Sequence, residues 1–162
     1  MNKLEIPVTQ ATRLLKDKKI NFIPYVYEYE EKGGTAQTAE VLNVPEYNVI
    51  KTLVLQTDTN KIFIMLMHGD YEVSLKELAR ILDVKTITPC EPKTAQNATG
   101  YLFGGTSPFG TRKMLPLYAE STIFDLDKIY INGGKRGFII EIDPQILKII
   151  FDLEMVDVKI KR

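Results

Sequence analysis

In Val49-Ile-Lys-Thr-Leu-Val-Leu55 a strand period places Val49, Lys51, Leu53 and Leu55 on one face, so a lysine interrupts an apolar row. Either this end of the strand is exposed and Lys51 reaches to water, or its ammonium lies partly desolvated in a cleft. In a cleft it could polarise a carbonyl or hold a phosphate. The remaining catalytic inventory is nearly empty. His68 is the only histidine and Cys90 the only cysteine, so a typical zinc cluster would need several carboxylates, and no ligand-like spacing links the two. His68 reads as a satisfied strand-end residue. Cys90, between Pro89 and Glu91, has no adjacent base or cation to activate it as a nucleophile. The acidic groups Asp125/Asp127 and Asp152/Glu154/Asp157 read as solvated faces.

Seven of the ten glycines fall in two short runs, Gly100–Gly110 and Asn132–Gly137. Within the first, Gly104-Gly105-Thr106-Ser107-Pro108 is either a tight turn or a cradle whose backbone N–H groups bind an oxyanion or ester carbonyl. Within the second, Gly133-Gly134-Lys135-Arg136-Gly137 is either a hairpin turn with exposed cations or a phosphate-binding turn near a sheet.

The elements that must position these groups alternate in type. Thr9 to Lys19 reads as a helix with Thr9 as N-cap. Phe22 to Tyr29 reads as a strand, placed at a sheet edge by Pro24. Gly33-Gly34 breaks the chain before a short helix, Thr38 to Leu42. Val49–Thr57 and Ile62–His68 form a hairpin across Asp58-Thr-Asn-Lys61. Ser74-Leu-Lys-Glu77 is a capping box opening a helix to about Leu82, and Pro92 to Ala98 is another short helix. Strands follow at Met114–Tyr118, Lys128–Asn132 and Phe138–Ile142, then a helix Pro144–Phe151 opened by Asp143-Pro144, then a last strand Met155–Ile160. The pattern predicts an α+β fold, a single domain over residues 1–162 with a curved mixed sheet and surrounding helices. No Gly-rich loop joins a first strand to a helix, so it is not a doubly wound nucleotide-binding fold.

The chain has 162 residues, enough for a full core. Lys+Arg and Asp+Glu both number 21, giving no formal net charge. A protein that grips nucleic acid chiefly through phosphates is usually basic, so any nucleic-acid partner must be held by a local patch or by one end. Neither DNA nor a membrane is expected as a partner: no apolar run is long enough to span a bilayer. The stretch Met-Asn-Lys-Leu-Glu-Ile-Pro lacks the apolar centre of a secretory leader. With the single cysteine, this makes the cytoplasm the expected setting.

Taken in order, Lys51-Thr-Leu53, Thr99-Gly-Tyr-Leu-Phe-Gly-Gly-Thr-Ser-Pro108 and Tyr130-Ile-Asn-Gly-Gly-Lys-Arg-Gly137 resemble the YbaK family. These are free-standing aminoacyl-tRNA deacylases related to the editing domain of bacterial prolyl-tRNA synthetases. The likeness runs from the Arg13-Leu-Leu helix to the helix after Asp143. It implies a barrel-like α+β fold and removal of a wrong amino acid from tRNA, most simply from Cys-tRNA(Pro), with Ala-tRNA(Pro) or another aminoacyl-tRNA as the alternative substrate. A non-catalytic module that binds the tRNA end is the alternative of another class.

The resemblance also assigns roles. Lys51 matches the family's essential lysine, and Gly104, Gly105, Thr106, Ser107 and Pro108 match the Gly-x-x-x-Pro loop that shapes the amino-acid pocket. Tyr27 matches a tyrosine lining the site. Asn132, Gly133, Gly134, Lys135 and Arg136 would form the opposite wall, toward the terminal ribose or phosphate of the tRNA 3′ end. For a cysteinyl ester the substrate's own thiol would attack the carbonyl and leave as a thiolactone, so no enzyme nucleophile, metal or organic cofactor is required. Prolyl-tRNA synthetase is the implied protein partner. Two features depart from the Cys-specific pattern: Ile139 stands where such members have an aspartate, and the segment from Tyr29 to Thr38 is short and carries Gly33-Gly34.

Overall fold

The computed structural model describes residues 5–162; Met1–Leu4, part of the stretch that lacks a leader's apolar centre, lie outside the described residues. In chain order the elements are α1 Gln10–Asp17, β1 Ile23–Val26, α2 Gly34–Leu42, β2 Val49–Thr57, β3 Ile62–His68, β4 Tyr71–Val73, α3 Leu75–Leu82, β5 Ile87–Pro89, α4 Pro92–Thr99, β6 Leu117–Glu120, β7 Ile129–Lys135, β8 Phe138–Ile142, α5 Gln145–Ile150, β9 Glu154–Val156 and β10 Lys159–Lys161.

Local chemistry explains most boundaries. Thr9 caps α1 by accepting from the Thr12 N–H at 3.1 Å, and Thr12 Oγ1 accepts from the Thr9 N–H at 2.9 Å. Ser74 caps α3 through the Glu77 N–H, but the Glu77 carboxylate binds Arg80 instead of closing the box. The glycine pair opens α2 rather than preceding it: Gln37 N–H donates to Gly33 O, and Thr38 Oγ1 to Gly34 O. The strand expected over Met114–Tyr118 begins instead at Leu117, because Pro116 has no N–H and joins the ladder only as acceptor to Ile64 N–H. The strand expected over Met155–Ile160 is two, β9 and β10, which pair in different sheets.

The main sheet runs β1-β8-β7-β2-β3-β6-β9, with β5 also on β2; β4 and β10 form a separate pair. It is mixed: β7 lies parallel to β2, and β6 parallel to β3 and β9, while the other main-sheet pairs are antiparallel. The expected α+β fold with a mixed sheet is the one observed. β1 and β9 stand at opposite ends, so the ladder is open and not a closed barrel, and Pro24 sits on the predicted edge strand.

Period-two alternation sorts the apolar residues onto two faces. One carries the largest cluster, including Ile50, Ile64, Leu66, Ile131, Phe138 and Ile140 with Ala11 and Leu15 of α1. The other carries two separate clusters: Leu55, Phe63, Met65 and Met67 against α3, and Val49, Tyr130 and Ile139 against α2. Lys51 lies on this second face, between them.

Candidate functional site

The β2–β7 ladder pairs Val49 with Tyr130 and Ile50 with Ile131, then stops. Lys51 and Asn132 are the next residue on each strand, and alternation puts both on the face of Val49 and Tyr130. The same cross-sheet row continues through Ile139, which pairs with Asn132, to Tyr25, which pairs with Ile139. β5 joins β2 only from Leu55 onward, so β2 is unpaired on that edge around Lys51.

Lys51 is half-buried, and its pKa is pushed below the usual lysine value. Burial is the main cause, opposed by Glu72, Glu46 and Asp70 and assisted by Arg162. Glu46 and Glu72 are engaged elsewhere, whereas buried Asp70 Oδ1 has no partner among the described residues. Arg162 pairs with Glu46 at 3.3 Å and with Glu72 at 3.8 Å, and Glu46 also accepts from Thr35 Oγ1 at 2.7 Å. Desolvation therefore outweighs attraction.

The glycine runs meet beside this row. β7 does not end at Asn132 but continues to Lys135 through a bulge, since Asn132 pairs with Ile139 and Lys135 with Phe138. Gly134 takes a φ of +102° there, which a side chain would strain. Asn132 Oδ1 accepts the Gly134 and Lys135 N–H groups at 2.7 and 3.2 Å. These two donors are therefore used within the chain. Asn132 Nδ2 donates to Gly104 O at 3.2 Å, and Arg136 Nε donates to Phe103 O at 2.7 Å. Gly105 lies so flat on the hairpin that a Cβ would come 2.8 Å from Arg136 N.

In the loop itself the Gly105 N–H closes a turn onto Leu102 O at 2.8 Å. Ser107 is fully buried and its Oγ accepts from Phe109 N–H. The N–H groups of Thr106 and Ser107 have no acceptor among the described residues, and Pro108 has none to offer. Ser107 is buried and Thr106 half-buried; unpartnered N–H groups are uncommon where the chain is buried, and these two are donors a ligand could use. Tyr27, by contrast, stands across the sheet on the chain beyond β1, where Oη shares a 2.7 Å hydrogen bond with Thr38 Oγ1 of α2. Burial raises its pKa.

His68 is fully buried and satisfied, as read, with Nδ1 on Tyr47 O and Nε2 on Thr122 Oγ1. Cys90 meets only Gln56, and burial pushes its thiol pKa up, away from nucleophilic character. A cleft of about 340 Å³ lined by Thr9, Arg13, Tyr101 and Lys135 opens on the α1 face, away from Lys51. No group of three or more metal-ligating side chains exists among the described residues, and no helix there is long and apolar enough to cross a membrane.

Three residues were not singled out as part of the site by sequence pattern, although Thr9 was read as a helix N-cap. Thr9 Oγ1 donates to Gly133 O at 2.6 Å. Tyr29 lies beneath the Arg136 guanidinium, 5.4 Å from ring centroid to Cζ. Phe103 stands 71% exposed beside the loop. Only Tyr29 had a signal, the alternation Tyr25, Tyr27, Tyr29.

Comparison with known proteins gives a consistent pattern. The aminoacyl-tRNA editing domain profile matches residues 30–149. EbsC of Enterococcus faecalis, to which a Cys-tRNA(Pro)/Cys-tRNA(Cys) deacylase activity is ascribed, is 30% identical over 138 residues, covering 85% of this chain and 84% of that protein. A proline–tRNA ligase of Brachyspira hyodysenteriae is 26% identical over 93 residues, 57% of this chain but 16% of the ligase. A solved structure described as a trans-editing enzyme for prolyl-tRNA synthetase superposes with a TM-score of 0.81 over 95% of this chain and 99% of that one; at 17% identity it speaks for the fold.

Proposed function

Because the chain belongs to the aminoacyl-tRNA editing domain family, we propose that it acts in trans, in the cytoplasm, as a deacylase of mischarged tRNA, with Cys-tRNA(Pro) as substrate. The observation that carries this reading is the junction where Lys51 and Asn132 follow the last pair of the β2–β7 ladder while Asn132 holds the Gly104 carbonyl. That junction sets one partly desolvated cation beside a loop with two free N–H donors. The ester carbonyl is placed between them, and charge developing on its oxygen is met by Lys51 ammonium and by Thr106 and Ser107 N–H groups.

With a cysteinyl ester the substrate sulfur attacks the carbonyl carbon. The bond to the ribose oxygen breaks, the thiol proton ends on that oxygen, and the amino acid leaves as a thiolactone. The protein supplies orientation and oxyanion stabilisation and no nucleophile. Tyr27 and the apolar Val49 and Ile139 shape the amino-acid side of the pocket, and Lys135 and Arg136 face the phosphate side. Prolyl-tRNA synthetase is the partner that would deliver the substrate.

One observation favours a second substrate. Ile139 is 5% exposed and packs with Val49 and Ala39, an apolar wall with no carboxylate to activate a thiol. That wall suits alanine, whose ester would need water as nucleophile. tRNA(Pro) charged separately with cysteine and with alanine distinguishes the two: release of cysteine supports the first reading, and release of alanine alone replaces it. If neither is released, with or without the synthetase, the chain is a tRNA-end-binding module.

A further inference from the structure

Phe103 is 71% exposed, and its neighbour Leu102 54%. An exposed aromatic ring on a mobile loop would mean little, but this one is mounted on a fixed backbone. Its own carbonyl is held by Arg136 Nε at 2.7 Å, and the next carbonyl, of Gly104, by Asn132 Nδ2 at 3.2 Å. Arg136 is itself stacked over Tyr29.

The two glycine-run segments carry charge of one sign, while Glu28 and Glu30 flank Tyr29, on which Arg136 stacks. Residues 99–114 and 129–137 contain Arg112, Lys113, Lys135 and Arg136 and no carboxylate, in a chain whose formal net charge is zero. All four side chains are exposed, and none forms an ion pair with an acidic side chain among the described residues. An exposed aromatic ring on a fixed backbone, in segments that carry exposed cations, is a combination that holds unpaired nucleotides: the ring stacks on a base and the cations meet the phosphates.

We propose that Phe103 is the stacking platform for the unpaired terminal base of the tRNA 3′ end, with Arg112, Lys113, Lys135 and Arg136 meeting the adjoining phosphates. The inference rests on the proposed deacylase reading for its geometry. An ester held at Thr106 and Ser107 is separated from its own terminal base by a single ribose, and Phe103 is the exposed ring beside that loop. A neutral protein thereby holds a nucleic acid by one end, through a local patch.

The chain contains no tryptophan, so Phe103→Trp creates a single fluorescent reporter. Titration with the trinucleotide CCA quenches its emission, whereas ribose 5-phosphate, which has no base, does not. In deacylation of mischarged tRNA(Pro), Phe103→Ala raises KM on the order of tenfold, the worth of one base stack, and leaves kcat close to wild type; Phe103→Tyr restores KM. The exposed position keeps the fold intact in all three variants. Unchanged emission with CCA in a variant that still deacylates tRNA overturns the base platform and leaves the deacylase reading standing. Quenching by CCA without deacylation keeps the platform and removes the catalytic reading. A Phe103→Ala defect seen only when the synthetase is present would make the ring a protein-docking residue and overturn the proposal.

Discussion

Asn132 donates through Nδ2 to the carbonyl oxygen of Gly104, 28 positions away in the chain, while its Oδ1 accepts the N–H groups of Gly134 and Lys135. One side chain thus holds the bulge in β7 and ties the first glycine run to it.

The two ends of that amide can be separated. Asn132→Asp keeps an acceptor for the bulge but loses the donor to Gly104, so the expected result is a native-like thermal midpoint with kcat/KM reduced about tenfold. Asn132→Ala loses both, and the unpaired N–H groups lower stability by about 1–3 kcal/mol. Thermal melts beside deacylation rates read the difference; equal stability for the two variants would show that the bulge does not depend on Oδ1.

Gly105→Ala tests the close approach. A Cβ there would come 2.8 Å from Arg136 N and 3.0 Å from Lys135 C, both backbone atoms that cannot move aside cheaply. The loop must lift from the hairpin and carry the Thr106 and Ser107 N–H groups with it. A loss of about 10²-fold in kcat is expected, the magnitude of a displaced oxyanion donor. Wild-type kcat in Gly105→Ala would remove the loop from the mechanism.

Lys51→Met is expected to cost about 10²–10³-fold in deacylation while leaving the thermal midpoint at neutral pH unchanged or raised. The sign follows from burial, which lowers the Lys51 pKa. A protonated lysine in that position costs stability, and the cost is relieved as pH rises through its lowered value toward the ordinary one near 10. The same shift makes the enzyme-dependent rate fall on the alkaline side at a lower pH than an ordinary lysine would produce. Lys51→Arg stays charged throughout, so any residual activity in it lacks that fall.

Glu120 is a purely structural test. It is fully buried, with Oε1 accepting Val158 N–H at 2.7 Å and Oε2 without a partner among the described residues. Burial raises its pKa against the opposing hydrogen bond. A raised carboxyl pKa favours the fold below the ordinary carboxylate range and loses that contribution as pH rises through the folded value. Glu120→Gln keeps the acceptor and removes the charge, so its melting temperature should exceed wild type at about pH 7 and converge with it near pH 4. A lower midpoint at pH 7 would mean the charge is compensated.

Periodicity and capping made much of this protein legible without a structure. The apolar row from Val49 to Leu55 exposed Lys51 because a charged side chain at a two-residue period must face what its neighbours face. Thr9, Ser74 and Pro24 marked two helix starts and an edge strand because each satisfies or lacks a specific backbone partner. The glycine runs and their resemblance to an editing family supplied the expectation of two walls for the candidate site. The rest could not be read locally. Gly133 and Gly134 looked like a turn and form a bulge, because strand register with β8, not glycine content, decides where a hairpin reverses. That Lys51 stands beside Asn132 follows only from the parallel pairing of β2 with β7, and that Asn132 reaches Gly104 only from the path of the loop over that pair. Residue types and short spacings act through dihedral angles and side-chain period, which are properties of a segment. The site's geometry comes from register and packing between segments far apart in the chain, which only the folded sheet sets.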